Sequence, residues 1–95
     1  MADYKLSNVA KSDLIRIHQN GVEKLGMDQA DKYFDSIFEC FDRIAKNPFS
    51  FESVDYIKIG YRRYVCGSDS IYFKITNNSV AVMAIIGKQD LKNIL

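Results

Sequence analysis

Ninety-five residues of 10.9 kDa, 47% apolar and 26% charged with a net charge of +1, have the composition of an ordinary folded chain and exclude disordered, collagen-like and coiled-coil classes. Surface scaling gives roughly 5,600 Å² folded against about 15,800 Å² unfolded, enough burial for one core. A radius of gyration of about 12 Å leaves no second lobe to enclose a large cofactor, so one domain over residues 1–95 is expected, with its sites on the surface.

The longest apolar run, residues 80–86, is far below the roughly 20 residues of a membrane span. The first five residues lack the apolar stretch of a secretion signal, so a cytoplasmic location without a membrane partner is expected. Cys40 and Cys66 are too few and too isolated for a disulfide scaffold, and neither has a second Cys or a His at metal-ligand spacing. A structural role is expected for both, with no metal and no cofactor. The charge is uneven: residues 1–53 hold nine acids and seven bases, net −2, whereas 54–95 hold three acids and six bases, net +3. That bias falls short of the basic stripe of a dedicated nucleic-acid binder.

In chain order, Tyr4, Lys5 and Leu6 read as a short strand, and Ser7 or Asn8 as the cap of a helix whose Ala10, Leu14, Ile17, Gly21 and Leu25 recur at three and four. Gly26 stops it. A second helix is predicted from Asp28, its N-cap, to Ala45. Its stripe of Ala30, Tyr33, Phe34, Ile37, Phe38, Phe41, Ile44 and Ala45 is flanked by Asp31, Asp35, Glu39 and Asp42. Asn47 and Pro48 end it. With Gly26 and Met27 as the only link, the helices must form a hairpin.

Beyond Pro48 the period changes to two, and strands are predicted at 54–59, 61–66, 70–76 and 79–86, joined by turns at Gly60, at 67–69 and at Asn77-Asn78. They should form an antiparallel meander with Ile71, Phe73 and Ile75 on the helices. Strand 79–86, apolar on both faces, is expected to be central. In strand 61–66, Arg63 shares a face with Tyr61 and Val65, and Arg62 with Tyr64 and Cys66, so at most one arginine lies on any one sheet surface. Together these elements give an α+β fold, a short strand and a helical hairpin packed on an antiparallel sheet.

These residues, in this order, resemble the ParE branch of the RelE/ParE toxin superfamily of bacterial type II toxin–antitoxin modules. The resemblance runs through Tyr4 to Ser7, Ala10 with Asp13, Leu14 and Ile17, Gly26 with Gln29, Ala30 and Tyr33, and Ala45 with Asn47 and Pro48. It continues through Gly60, Tyr61, Arg62 and Arg63, then Ile71 to Phe73, then Ile85 and Ile86 leading into Lys88, Gln89 and Asp90. It implies the RelE/ParE-like fold, a cognate ParD-like antitoxin whose C-terminal segment wraps the toxin, operator DNA reached only through that antitoxin, and DNA gyrase as target. Asp69 and Gly87 stand where many members carry histidine.

Cleavage of RNA by 2′-OH attack needs a proton acceptor, a proton donor and cations for the phosphate. The only histidine, His18, lies among polar residues of the first helix and is expected to be a surface structural residue. If the chain were a RelE-like ribosome-dependent mRNA endoribonuclease, Arg62, Arg63, Tyr61 and Lys88 would be its candidate catalytic residues, with Tyr64 and Tyr72 beside them. The alternatives for the arginines are a solvated face or an ion pair with Asp55 or Asp69. The scarcity of histidine and carboxylate around the sheet favours an inhibitor that acts by binding; a degenerate, non-toxic binding module is the remaining alternative. Target binding is expected at Arg62 and Arg63, whose planar forks suit carboxylate or phosphate, and, by the resemblance, at Lys88, Gln89, Asp90 and Leu91. Antitoxin binding is expected at Asp35 and Glu39 on the acidic helix face, and at Val54 and Ile57 on an edge strand.

Overall fold

The computed structural model describes residues 3–77 and 79–87. Strand β1 (Tyr4–Leu6) leads into helices α1 (Asn8–Leu25) and α2 (Met27–Lys46). A 3-10 turn at Pro48–Ser50 and strands β2 (Glu52–Ser53), β3 (Tyr61–Cys66), β4 (Asp69–Thr76) and β5 (Ser79–Gly87) follow. The sheet order is β1-β5-β4-β3-β2, and the helical hairpin covers one face.

Ser7 is the N-cap of α1: its Oγ accepts from the Ala10 backbone N–H at 3.0 Å. At the other end one residue makes the whole link. Gly26, at φ 86°, donates its N–H to the Val22 carbonyl and accepts from the Ala30 N–H, so it closes α1 and opens α2. A side chain is strained at that φ, which is why glycine stands there. Asp28 was expected to cap α2 but lies inside its first turn, where its charge favours the helix N-terminus without a capping bond. The hairpin closes tightly because Gly21 faces Ala30; a Cβ at Gly21 would stand 3.2 Å from that of Ala30.

The predicted stripe of α2 is the core. Ile37, Phe41 and Ile44 are fully buried against Ile71, Phe73, Val80, Val82 and Ile85, and Phe34, Phe38, Phe41 and Tyr4 form a run of tilted and edge-on ring contacts at 5.1–5.2 Å. Cys40 and Cys66, far apart in sequence, also meet here in a disulfide between α2 and the end of β3, with Cα atoms 6.4 Å apart.

Strands β2 to β5 form the expected antiparallel meander, but β1 joins it parallel to β5, Tyr4 opposite Val80 and Leu6 opposite Val82, so the sheet is mixed. β5 is an interior strand between β1 and β4, and β4 rather than β5 takes the middle place. Met83 is an extra residue in β5: Val82 pairs with Phe73 and Ala84 with Tyr72. This bulge resets the alternation, so that Val80, Val82 and Ile85 all face the helices although their spacing is not even. Beyond Leu6, side chains take over from β1 at the edge of β5. Ser7 Oγ donates to the Met83 carbonyl at 2.9 Å, Asp13 Oδ2 accepts from the Ile85 N–H at 2.9 Å, and Arg16 donates to the Ile85 carbonyl at 3.1 Å.

The strand predicted over 54–59 does not form. Glu52 and Ser53 pair with β3, the Val54 N–H donates to the Tyr61 carbonyl at 2.8 Å, and the chain then turns: the Val54 carbonyl accepts from the Ile57 and Lys58 N–H groups, and Asp55 Oδ1 accepts from the Gly60 N–H at 2.8 Å. A side-chain acceptor that captures local backbone donors competes with ladder pairing, and Gly60 at φ 85° reverses the chain directly into β3. Two of the apolar residues that suggested a strand, Val54 and Ile57, fold onto the outer face of the sheet, whereas Tyr56 and Ile59 are exposed. Val54 is fully buried there with Tyr61, Tyr72, Ala84 and Ile86, and Ile57 packs beside them.

Candidate functional site

Strand β3, last but one in the sheet, carries the arginine pair opposite the two residues of β2. Pairing with β4 and β2 sends the two side chains to opposite faces, as the alternation requires. Arg62 points to the helix side, where Nη1 donates to the Phe51 carbonyl at 2.7 Å and the guanidinium lies 5.3 Å from the centroid of the Phe49 ring, which is 69% exposed. Arg63 points to the outer face. Its Nε donates to Glu52 Oε1 at 2.8 Å, and its Nη2 donates to the Tyr56 hydroxyl at 3.3 Å. The Tyr72 hydroxyl and then the Glu52 carboxylate hold this guanidinium even more firmly protonated than usual.

Neither arginine takes the ion pair expected with Asp55 or Asp69. Asp55 is used by its own turn, Asp69 accepts from Tyr33 on the other side of the sheet, and the carboxylate that meets Arg63 is Glu52, directly opposite it in register. Arg63, Tyr61 and Tyr72 share the outer face, with Lys58 5.3 Å from the Tyr61 ring centroid. Tyr64 is on the other face, stacked on Phe51 at 4.5 Å and accepting from Arg43 at 3.3 Å. The candidate nuclease residues are therefore divided between two surfaces. Of the tyrosines set beside the candidate catalytic residues, Tyr72 is 1% exposed.

His18 is remote from all of these. It bonds Asp31 across the hairpin at 2.8 Å, with its ring edge-on to Phe34. Asp35 and Glu39 are exposed on α2 as expected, and Ile57 is half-buried. Val54, offered as an antitoxin contact on an edge strand, is buried under its own loop and presents nothing to a partner. Lys88, Gln89, Asp90 and Leu91 lie outside the described residues. Among the described residues no group of three or more His, Cys, Asp or Glu is placed to hold a metal ion, and no helix is long and apolar enough to cross a membrane.

A latch between Tyr33 and the β3–β4 turn was not read from the sequence. The Tyr33 hydroxyl donates to Asp69 Oδ2 at 2.6 Å and accepts from the Ser68 N–H at 3.2 Å, and the Cys66 carbonyl lies at 3.2 Å. Burial, and then the bond to Asp69, push its phenol above the ordinary value. Gly67, at φ 65°, admits the ring, because a Cβ there would lie 2.7 Å from Tyr33 Cε1. The latch forms one wall of a cleft of about 330 Å³ whose other wall is the second half of α1, with Ile17, Gly21 and Leu25 flanked by Arg16 and Lys24. The sequence signals were a glycine-containing turn and an acid where a buried side chain was due, neither of which names its partner.

The family model described as the ParE toxin of the type II toxin–antitoxin system, parDE, matches residues 4–91. The chain belongs to the ParE toxin family. It is 33% identical over 73 residues to Toxin ParE1 of Mycobacterium tuberculosis, covering 77% of this chain and 74% of that protein. It is 29% identical over 75 residues to Toxin ParE1 of Caulobacter vibrioides, covering 79% and 78%. The fold superposes with a TM-score of 0.81 and 19% identity on a chain of the chromosomal ParDE toxin–antitoxin system from P. aeruginosa, covering 92% of this chain and 96% of that one. This ParE-family chain is thus a toxin of a toxin–antitoxin system with the expected α+β fold.

Proposed function

We propose that this ParE-family toxin blocks replication by binding DNA gyrase, acts in the cytoplasm as one domain, and is neutralised by a ParD-like antitoxin encoded beside it. Family membership supports gyrase as the target. The observation that carries binding over cleavage is the disposition of Arg62 and Arg63: they face opposite ways, and each is anchored by fixed acceptors. General acid–base chemistry needs a proton donor and acceptor converging on one reacting phosphate. Two braced guanidiniums on one rim are suited instead to docking against carboxylates of a protein partner.

Lys88, Gln89, Asp90 and Leu91 extend the target-binding set, and Asp35 and Glu39 meet basic residues of the antitoxin, which alone contacts operator DNA. The decisive assay follows ATP-dependent supercoiling and accumulation of cleaved plasmid with purified toxin, with and without antitoxin. The expected outcome is inhibition with cleaved DNA, relieved by antitoxin, and weakened about tenfold or more by Arg62→Ala with Arg63→Ala, a loss typical of an interface anchor. Folded toxin that stops growth yet leaves gyrase untouched would transfer the reading to RelE-like mRNA cleavage. Charge reversal at Asp35 and Glu39 should weaken antitoxin binding; unchanged affinity removes that surface from the interface.

A further inference from the structure

We propose that Cys40 and Cys66 form a reversible redox site, exchanging with low-molecular-weight thiols and disulfides, that controls how firmly the segment bearing Arg62 and Arg63 is held to the core. The proposal does not depend on which target the toxin binds.

The two residues are separated by 26 positions, and the chain between them leaves the end of α2, passes through β2 and the turn around Asp55, and returns along β3. Both arginines and their neighbours Phe49, Glu52 and Tyr56 lie inside this closed loop. Within the loop β3 is held to β4 at every position, whereas the stretch between α2 and β3 is fastened mainly by the two residues of β2 at the sheet edge and by the buried Val54. Closing a loop restricts what it can do when it opens, so the bridge acts most strongly on this segment.

Both cysteines are 5% exposed, so exchange requires an entry. Cys66 provides it. It ends β3 and is followed by the exposed Gly67 and Ser68, whereas Cys40 faces the core from the middle of α2. The Tyr33 ring packs on Gly67 and its hydroxyl holds the backbone on either side, so release of the latch frees the turn next to the Cys66 sulfur. The reduced state also has a place to rest: the Ser36 carbonyl lies 3.8 Å from Cys66 Sγ, an acceptor within reach of the thiol once the bridge is opened.

Oxidation then proceeds in two balanced steps. The Cys66 thiolate attacks one sulfur of a small disulfide such as oxidised glutathione, forming a mixed disulfide and releasing one thiolate. The Cys40 thiolate attacks the Cys66 sulfur and releases the second. The protein loses two electrons and two protons, and the small disulfide gains them as two thiols; reduction is the reverse.

The test equilibrates the full chain in glutathione buffers with reduced-to-oxidised ratios from about 1:1 to about 1,000:1, traps thiols with iodoacetamide and weighs the protein. Expected is a single transition in which both cysteines are alkylated together, with Tyr33→Phe accelerating reduction about threefold or more. In hydrogen exchange, reduction should lower the protection of amides in residues 52–64 at least about tenfold more than that of amides in β4 and β5. Cysteines alkylated throughout the series, a bridge intact throughout, or equal loss of protection in all strands would overturn the proposal. Because the reductant makes the open form from wild-type protein, no cysteine variant has to fold. If Tyr33→Phe does not fold, Ser68→Ala, which removes the exposed Ser68 hydroxyl 3.3 Å from the Tyr33 hydroxyl, carries the rate comparison, and an unchanged rate refutes the entry route.

Discussion

Tyr33 shows how much one side chain settles here. In sequence it belongs to an apolar stripe, but in the fold its ring lies on Gly67 while its hydroxyl serves Asp69 and the turn. Because burial and Asp69 raise its pKa, the protonated form is the one the native state favours. The latch therefore contributes fully below the ordinary tyrosine value of about 10 and is lost as pH rises through the raised value. Wild-type protein should lose stability in that alkaline range, and Tyr33→Phe should flatten that part of a melting profile against pH while costing about 1 kcal/mol at neutral pH. An unaltered profile would refute the latch. Gly67→Ala carries both a clash and an unfavourable φ, so it should cost at least about 1–2 kcal/mol, read as a lower denaturation midpoint.

Among the elements, the helices were legible and one strand was not. α1 and α2 follow their apolar spacing because their buried faces are set by the 3.6-residue period along one contiguous segment. Residues 54–59 carry a similar local signal for a strand, yet Asp55 and Gly60 make a turn of them, a competition that alternation does not register. The predicted edge-strand contact at Val54 failed for the same reason. The side-chain bonds that finish the edge of β5 involve partners more than 60 positions away, so no local pattern announces them. Ser7 both caps α1 and bonds the Met83 carbonyl. Ser7→Ala should therefore cost about 2 kcal/mol, toward the upper end for a lost cap, a loss measurable in urea.

At the scale of the whole molecule, the core depends on α2 closing over the sheet. Phe41 is fully buried where Tyr4, Phe38 and both halves of the chain meet. Phe41→Ala should cost about 3–5 kcal/mol, a large part of the roughly 5–15 kcal/mol that holds a domain folded, and should appear as poor recovery of soluble toxin. The disulfide adds a second tie across the same layer. For a loop of this length, reduction should remove about 3 kcal/mol and lower Tm by roughly 10 °C or more; equal Tm with and without reductant would show that the bridge contributes nothing.

Sequence alone determined the helical hairpin, the meander that follows it, the opposite facing of Arg62 and Arg63 and the family, since each rests on periodicity or on order within short stretches of chain. Tertiary structure decided which groups meet. It paired Cys40 with Cys66, gave Asp69 to Tyr33 and Glu52 to Arg63, set β1 parallel to β5, and buried Val54. The physical reason is one of range: backbone geometry fixes where a side chain points within a few residues, whereas its partner is chosen only when distant segments pack and every buried polar group must find a mate.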